Sequence, residues 1–425
     1  MNAAEVSAGP GKPGGLRRIP PPPLLLVLLT LLGLGAFILV PQLATNLGLV
    51  DYGRWFLDSY AVLASNDAVR AGLDPLAPNP LDDLHREHVY SDWWFTLGRL
   101  GFTRADNFLV GGSWVLAFFG TVWWLLRPTD WRQAVWFALL VISPPVLLAV
   151  MRGNNDLVIF VLLAIAVLAL RPAGNARFAV ALAGIVLATG LKFYPAVAAG
   201  VFLLVRPVGR LRLMLPVAGL AVAAALASVW GAIGRGVMPM PSGVYTMGAP
   251  VLFRDLGFDG RSVLPVGGLL LAAGMVWLVA TKRTTGLAAP GGKFQPRAAF
   301  MIGALVLLAC FLAGTSFAYR WIFSVLLAPW LWEQAHAAGL PARDRRLAAC
   351  AGGLLLTVVW MDGLLCLVGN QFFPTVGQAV FDHWQHIWRL GTQPLVWLLM
   401  LLLAGWLLDA LLATGRELRA GWRRQ

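Results

Sequence analysis

The chain has 425 residues, of which 59% are hydrophobic and 12% charged, and its formal net charge is +13. A soluble domain carries about 25% charged residues, so half that share leaves too little polar surface to keep the chain dissolved, and the mean hydropathy of +0.73 agrees. The positive balance does not describe a nucleic-acid binder, because Lys and Arg are spread over short loops and form no single basic stripe.

The first 22 residues are a Gly/Pro-rich tail bearing Lys12, Arg17 and Arg18. The apolar run that follows is too long for a signal-peptide core and reads as a retained first helix. Apolar runs of about 18 or more residues cross a bilayer core as helices, since lipid offers no other partner for backbone N–H and C=O groups. The pattern predicts spans over 23–46, 107–126, 133–151, 156–170, 177–191 and 194–205, then 213–233, 263–280, 298–314, 321–333, 347–368 and 394–412. The expected fold is therefore an all-α polytopic transmembrane bundle of about twelve spans. It forms one domain over 23–412, followed by a basic tail over 413–425.

Basic clusters fix the expected orientation. With the N-terminus cytoplasmic, Arg127–Arg132, Arg171–Arg177, Arg206–Arg212, Lys282–Arg297 and Arg343–Arg346 all fall inside, together with the C-terminal tail. The loops 47–106, 152–156, 192–195, 234–262, 314–320 and 369–393 then fall outside. The three cysteines, Cys310, Cys350 and Cys366, lie in apolar runs and read as buried small hydrophobes.

The first outer loop is far longer than the usual connection of about 2–6 residues. Within it, Phe56 to Ala71 reads as an amphipathic helix that Gly72 ends. The run YSDWWF at 90–95 reads as an interfacial aromatic anchor. The loop is expected to roof a cavity between helices.

Charges at membrane depth cost about 2.5–3.5 kcal/mol each on insertion scales and default to function. Arg152, Asp156, Lys192, Arg320 and Asp362 all fall at the outer ends of their predicted spans. A set of both signs on one face is not what lipid-facing, snorkelling side chains would form. Asp58, in the loop helix, is a candidate general base, with Asp51, Asp67, Asp74 and Asp92 competing for the role. Lys and Arg at the same depth are suited to an anionic phosphate. Asp58 as a helix N-terminal charge and Lys192 as a snorkelling residue are the structural alternatives. His383 and His386 lack a third ligand nearby and read as solvated loop residues; no metal set and no cofactor are read from the sequence.

Four segments resemble glycosyltransferase family 87, polyprenol-phosphate-sugar-dependent transferases of the GT-C fold. Asp58-Ser59-Tyr60 running to Ala71-Gly72-Leu73-Asp74-Pro75 is similar to the family's first-loop signature, and its spacing selects Asp58 over Asp51. Gly153-Asn154-Asn155-Asp156 is similar to its Gly-Gln-x-Asp turn, with Asn154 where Gln is commoner. Gly190 to Pro195 resembles its Lys-x-x-Pro segment. Ser316 to Trp321 resembles its late outer loop, with Tyr319-Arg320 where His is frequent and Pro329 ending the helix beyond. The likeness is good over the first half of the chain and loose over the second.

The resemblance implies a GT-C-type hexosyltransferase of the inner (plasma) membrane, both termini cytoplasmic, that inverts the anomeric carbon. It implies a polyprenyl-phosphate-linked, mannose-like sugar as donor and a glycan or glycolipid as acceptor. By the same resemblance Asp58 is the base, Lys192, Arg320 and Arg152 hold the donor phosphate, and Asp156, Asn155, Tyr194 and Tyr319 orient the sugar or acceptor. The alternatives are a transporter or flippase for a lipid-linked saccharide and a non-catalytic scaffold. Against a transporter built of two halves, the second half shows no counterpart of RGNND or LKFYP.

Overall fold

A computed structural model of the chain describes residues 20–49, 54–170, 175–204, 208–234, 244–282, 284, 293–372 and 378–422. Residues 1–19 of the N-terminal tail, Asp51, the end of the basic tail, and parts of the basic loops at 171–177, 206–212 and 282–297 lie outside the described residues.

The apolar runs fold as helices. In chain order these are α1 (Pro22–Leu39), α2 (Pro41–Asn46), α3 (Leu57–Arg70), α4 (Thr96–Arg99), α5 (Asn107–Leu125), α6 (Trp131–Val141), α7 (Pro144–Arg152), α8 (Asp156–Ala169) and α9 (Asn175–Leu191). There follow α10 (Val201–Leu204), α11 (Val208–Gly234), α12 (Ala249–Asp255), α13 (Gly260–Ala280), α14 (Phe294–Leu312), α15 (Ala328–His336), α16 (Ala342–Phe372) and α17 (Gln378–Trp422). Among the described residues, five helical segments are long and apolar enough to cross a membrane: Pro22–Leu39, Arg104–Leu125, Phe294–Leu312, Ala342–Asn370 and Asp382–Arg416. The predicted span 133–151 is a pair, α6 and α7, bent by 52°. Pro144 and Pro145 follow the break, and a proline ring cannot continue the hydrogen-bond ladder of the helix before it.

The remaining apolar helices are shorter. Asp156–Ala169, with its 14 residues, rises only about 21 Å, against a hydrocarbon core of about 30 Å. The bundle is woven around it: α8 packs on α5 and α9, and Phe118 meets Phe160 edge-on with centroids 4.9 Å apart. Helix α14 lies against two 3-10 segments, Tyr194–Gly200 and Ala318–Leu326.

Several expectations are corrected. Of the stretch 194–205, residues 194–204 are a 3-10 segment with one α-helical turn, and 321–333 are divided between the 3-10 segment Ala318–Leu326 and α15. The second of these is apolar because it is interior: every residue from Trp321 to Leu327 is buried. The first is partly so, with Tyr194, Ala198, Val201 and Phe202 buried. The loop expected over 369–393 is largely helix, and Pro394 sits inside α17. His383 and His386 are accordingly exposed helix residues, not loop residues. Helix α3 forms over the expected stretch, but it is buried on nearly every side from Leu57 to Asn66. The YSDWWF run is part of the protein interior at Trp94, whose indole donates to the Leu191 carbonyl at 3.2 Å. Of the cysteines, Cys310 and Cys366 are buried as expected, whereas Cys350 is exposed on α16, a helix with one face turned away from the bundle.

A two-stranded antiparallel ribbon joins distant segments. Strand β1 (Thr246–Met247) pairs with β2 (Ser316–Phe317), Thr246 opposite Phe317 and Met247 opposite Ser316. Gly248 at φ +147° makes the close approach possible, because a Cβ there would run into the Gly314 carbonyl.

Candidate active site

Local chain geometry brings Asp58 to the end of α7. Gly153 ends α7 in the left-handed region at φ +53°, and a Cβ on it would lie 2.8 Å from the Cβ of Phe56. The Phe56 amide donates to the Met151 carbonyl at 2.8 Å, which stitches the start of α3 to the end of α7. Ser59 and the Trp55 carbonyl hold Asn107 at the head of α5, with Ser59 Oγ 2.6 Å from Asn107 Oδ1.

Asp58 is 3% exposed and fully partnered. Arg152 donates from Nε to Oδ2 at 3.0 Å and from Nη2 to Oδ1 at 2.6 Å, a forked contact. Asn154 donates from Nδ2 to Oδ2 at 2.5 Å. Arg86 stands 3.9 Å from Oδ1, held in place by Asp82 and by the Leu57 carbonyl. Burial pushes the Asp58 pKa up, but the facing Arg152 charge and hydrogen bonds, with Asn154 and Arg86, leave it below its ordinary value.

A second charged group lies beside the first. Asp156 Oδ1 accepts from Lys192 Nζ and, at 2.7 Å, from the Tyr194 hydroxyl. The Asp156 backbone amide donates to Asn154 Oδ1 at 2.8 Å, so one asparagine links the Asp58 carboxylate to the start of α8. Arg320 lies with its guanidinium 5.0 Å from the Tyr194 ring, and its Nε has no hydrogen-bond partner. Phe317 stacks on Tyr319, ring centroids 5.4 Å apart, and lies 5.7 Å from the Arg152 guanidinium.

These groups wall a cavity of about 690 Å³. Asp58, Arg152, Lys192, Tyr194, Tyr319 and Arg320 line it. Asn155 and Asp156 do not: both are 0% exposed and sit behind the wall. Asp156 therefore reaches the cavity through Lys192 and Tyr194. Both amide atoms of Asn155 lack a hydrogen-bond partner. Asp362 lies apart from the cavity and accepts from the Tyr245 amide at 3.1 Å. Of the competing loop acids, Asp67 pairs with Arg70 at 2.5 Å and Asp74 caps a turn at Leu76.

Three participants are not read as site residues from the sequence: Arg86 is not singled out, Tyr90 reads only as part of an aromatic anchor, and Asn154 only as a motif position. Arg86 and Tyr90 line the cavity from the loop after α3, in a stretch without periodicity. Asn154 contacts Asp58 where its neighbour Asn155 had been expected to act. The only sequence signal for Arg86 is its spacing of four from Asp82, its partner at 2.6 Å.

The arrangement has a definite chemical character. Four cations, Arg86, Arg152, Lys192 and Arg320, face one space with the carboxylates Asp58 and Glu87 in its wall; Asp58, Asp82 and Asp156 pair with the first three cations, and among the described ion pairs Arg320 has no carboxylate partner. Such a pocket favours an anion, and its apolar edge at Leu57, Ala61, Phe193 and Val229 suits an apolar chain attached to it. Comparison of the chain with family models, with curated proteins and with solved structures returns no match.

Proposed function

We propose that the protein is a membrane hexosyltransferase that takes a mannose-like sugar from a polyprenyl-phosphate donor and passes it to an acceptor hydroxyl on the extracytoplasmic side. The observation that carries this reading is the shared cavity of Asp58, Arg152, Lys192 and Arg320. Its volume, about 690 Å³, lies in the range of small-molecule sites.

In this reading Lys192 and Arg320 receive the donor phosphate, and the apolar edge receives the first part of the prenyl chain. The acceptor oxygen attacks the anomeric carbon from the face opposite the phosphate. The bond from that carbon to the phosphate oxygen breaks, its electron pair stays on the phosphate, and the hydroxyl proton passes to Asp58. The configuration inverts. Asp58 paired with Arg152 is a weak base; a phosphate that draws the Arg152 fork toward itself strengthens it, so proton acceptance is coupled to an occupied donor site.

The test uses full-length protein in nanodiscs with a short-chain polyprenyl-phosphate mannose, labelled in the sugar, and a membrane lipid extract as acceptor. Wild type is expected to move label to the acceptor fraction and release polyprenyl phosphate, while Asp58→Asn binds donor without transfer. Transfer by Asp58→Asn at the wild-type rate removes the base assignment. A wild-type protein that does not bind the donor removes the reading altogether.

A further inference from the structure

Three charged side chains far from one another in sequence meet at strand β1, outside the cavity. Asp362 on α16 accepts from the Tyr245 amide at 3.1 Å. Arg389 on α17 donates from Nη2 to Thr246 Oγ1 at 3.3 Å and pairs through Nε with Asp255, at the end of α12, at 3.0 Å. Asp362 is 9% exposed and Arg389 is 7% exposed. Charges so buried are costly unless paired; Arg389 pairs with Asp255, and Arg389 and Asp362 also bond Thr246 and Tyr245, at and just before the two-residue strand. None of the three lines the cavity.

The strand is connected to the cavity wall. The Tyr245 carbonyl accepts from the Ala318 amide at 2.7 Å, two residues before Arg320. Ser316 Oγ donates to the Met247 carbonyl at 3.3 Å. Strand β2 carries Phe317, and Tyr319 and Arg320 follow at once. Arg320 makes no carboxylate pair among the described ion pairs and its Nε has no hydrogen-bond partner; its guanidinium rests beside the Tyr194 ring and Cys310, and the backbone of 316–320 sets where the side chain starts.

We infer that Arg389, Asp255 and Asp362 are positioning residues for Arg320, acting through β1 and β2 to hold that cation in the wall of the anion pocket. The inference rests on the proposed phosphate site only for the nature of the ligand. A purely structural role would lower stability without a specific link to Arg320.

The gentlest probe is Thr246→Val, which removes the hydroxyl bonded by Arg389 and leaves the Arg389–Asp255 pair in place. Two measurements on full-length protein in nanodiscs are combined. Hydrogen exchange at the Ala318 amide is expected to speed up in Thr246→Val and to return to the wild-type rate in Thr246→Ser. Binding of citronellyl phosphate is expected to weaken about fivefold in Thr246→Val and about tenfold or more in Arg320→Ala. The double variant is expected to bind no worse than Arg320→Ala alone, because residues acting as one unit are not additive. Unchanged exchange at Ala318 in Thr246→Val overturns the inference, and so does full additivity of the two losses. If wild type binds no citronellyl phosphate, the phosphate reading fails, and the exchange result alone decides whether the clamp holds the wall.

Discussion

Arg152 grips Asp58 at two points, 3.0 Å and 2.6 Å, across 94 residues of sequence. The contact joins the end of a broken helix pair to the start of the loop helix. It makes the two residues energetically inseparable, and that can be measured.

Arg152→Gln is expected to destabilise the protein by about 3 kcal/mol, because it leaves a buried carboxylate short of its principal partner. The value is at the low end for a buried pair, since the Arg152 side chain is 17% exposed. Asp58→Asn combined with Arg152→Gln should be less destabilised than Arg152→Gln alone. Thermal unfolding in detergent reads both; a double variant less stable than either single variant contradicts the pairing.

The pH dependence of the same pair has a definite sign. Asp58 titrates below its ordinary value of 3.8 in the folded protein, so the pair's contribution is complete above the ordinary carboxylate range. It is lost only as pH falls through the lower, folded value. The difference in Tm between wild type and Asp58→Asn should stay constant from about pH 8 to about pH 5 and shrink below about pH 4. A difference that shrinks near neutral pH contradicts the carboxylate's low pKa.

Gly153→Ala should cost about 2 kcal/mol, combining the left-handed backbone with a Cβ forced against Phe56. Phe56→Leu should not rescue it. The nearest obstructing atom is the Phe56 Cβ at 2.8 Å, with Cα and the ring Cδ1 both at 3.1 Å, and leucine keeps the Cβ and Cα. Recovery of Tm in the double variant would show that the ring, and not the backbone approach, is the obstacle.

Lys192→Gln should raise the half-saturating concentration of a polyprenyl-phosphate donor about tenfold or more, since a charge-assisted hydrogen bond contributes about 1.5–3 kcal/mol. Asp156→Asn should have a smaller effect on the same titration, because Asp156 is 0% exposed and acts by orienting Lys192 and Tyr194. Donor titrations on both variants separate the two roles. Equal effects would mean that Lys192 has no contact of its own with the phosphate.

The sequence made the helical class and most of the cavity wall legible for the same reason: a charge in an apolar run has few places to go. Arg152, Lys192 and Arg320 were found by that logic and share one cavity with Asp58, which the spacing of the family resemblance selects; Asp362, found by the same logic, lies apart from it. Tyr194 and Tyr319, named through the family resemblance, line the cavity as well. The segments 194–205 and 321–333 misled because apolarity reports burial, and burial inside protein reads like burial in lipid. Asn154 and Asn155 cannot be told apart in a linear sequence; the αL turn at Gly153 decides which amide faces Asp58. Arg86 depends on how an irregular loop folds back over α3, which no periodicity encodes.

The meeting of α7 and α8 at the Gly153–Asn155 turn has an electrical consequence. Arg152 occupies the last turn of one helix and Asp156 the first turn of the next. The carbonyl end of α7 carries a partial negative charge beneath the cation, and the amide end of α8 a partial positive charge beneath the anion. Each is worth about 0.3–1 kcal/mol at a helix end. The backbone thus polarises this corner of the bundle before any side chain is paired. Part of the favourable field at this corner therefore persists while the side-chain partners of Arg152 and Asp156 turn toward a visiting molecule.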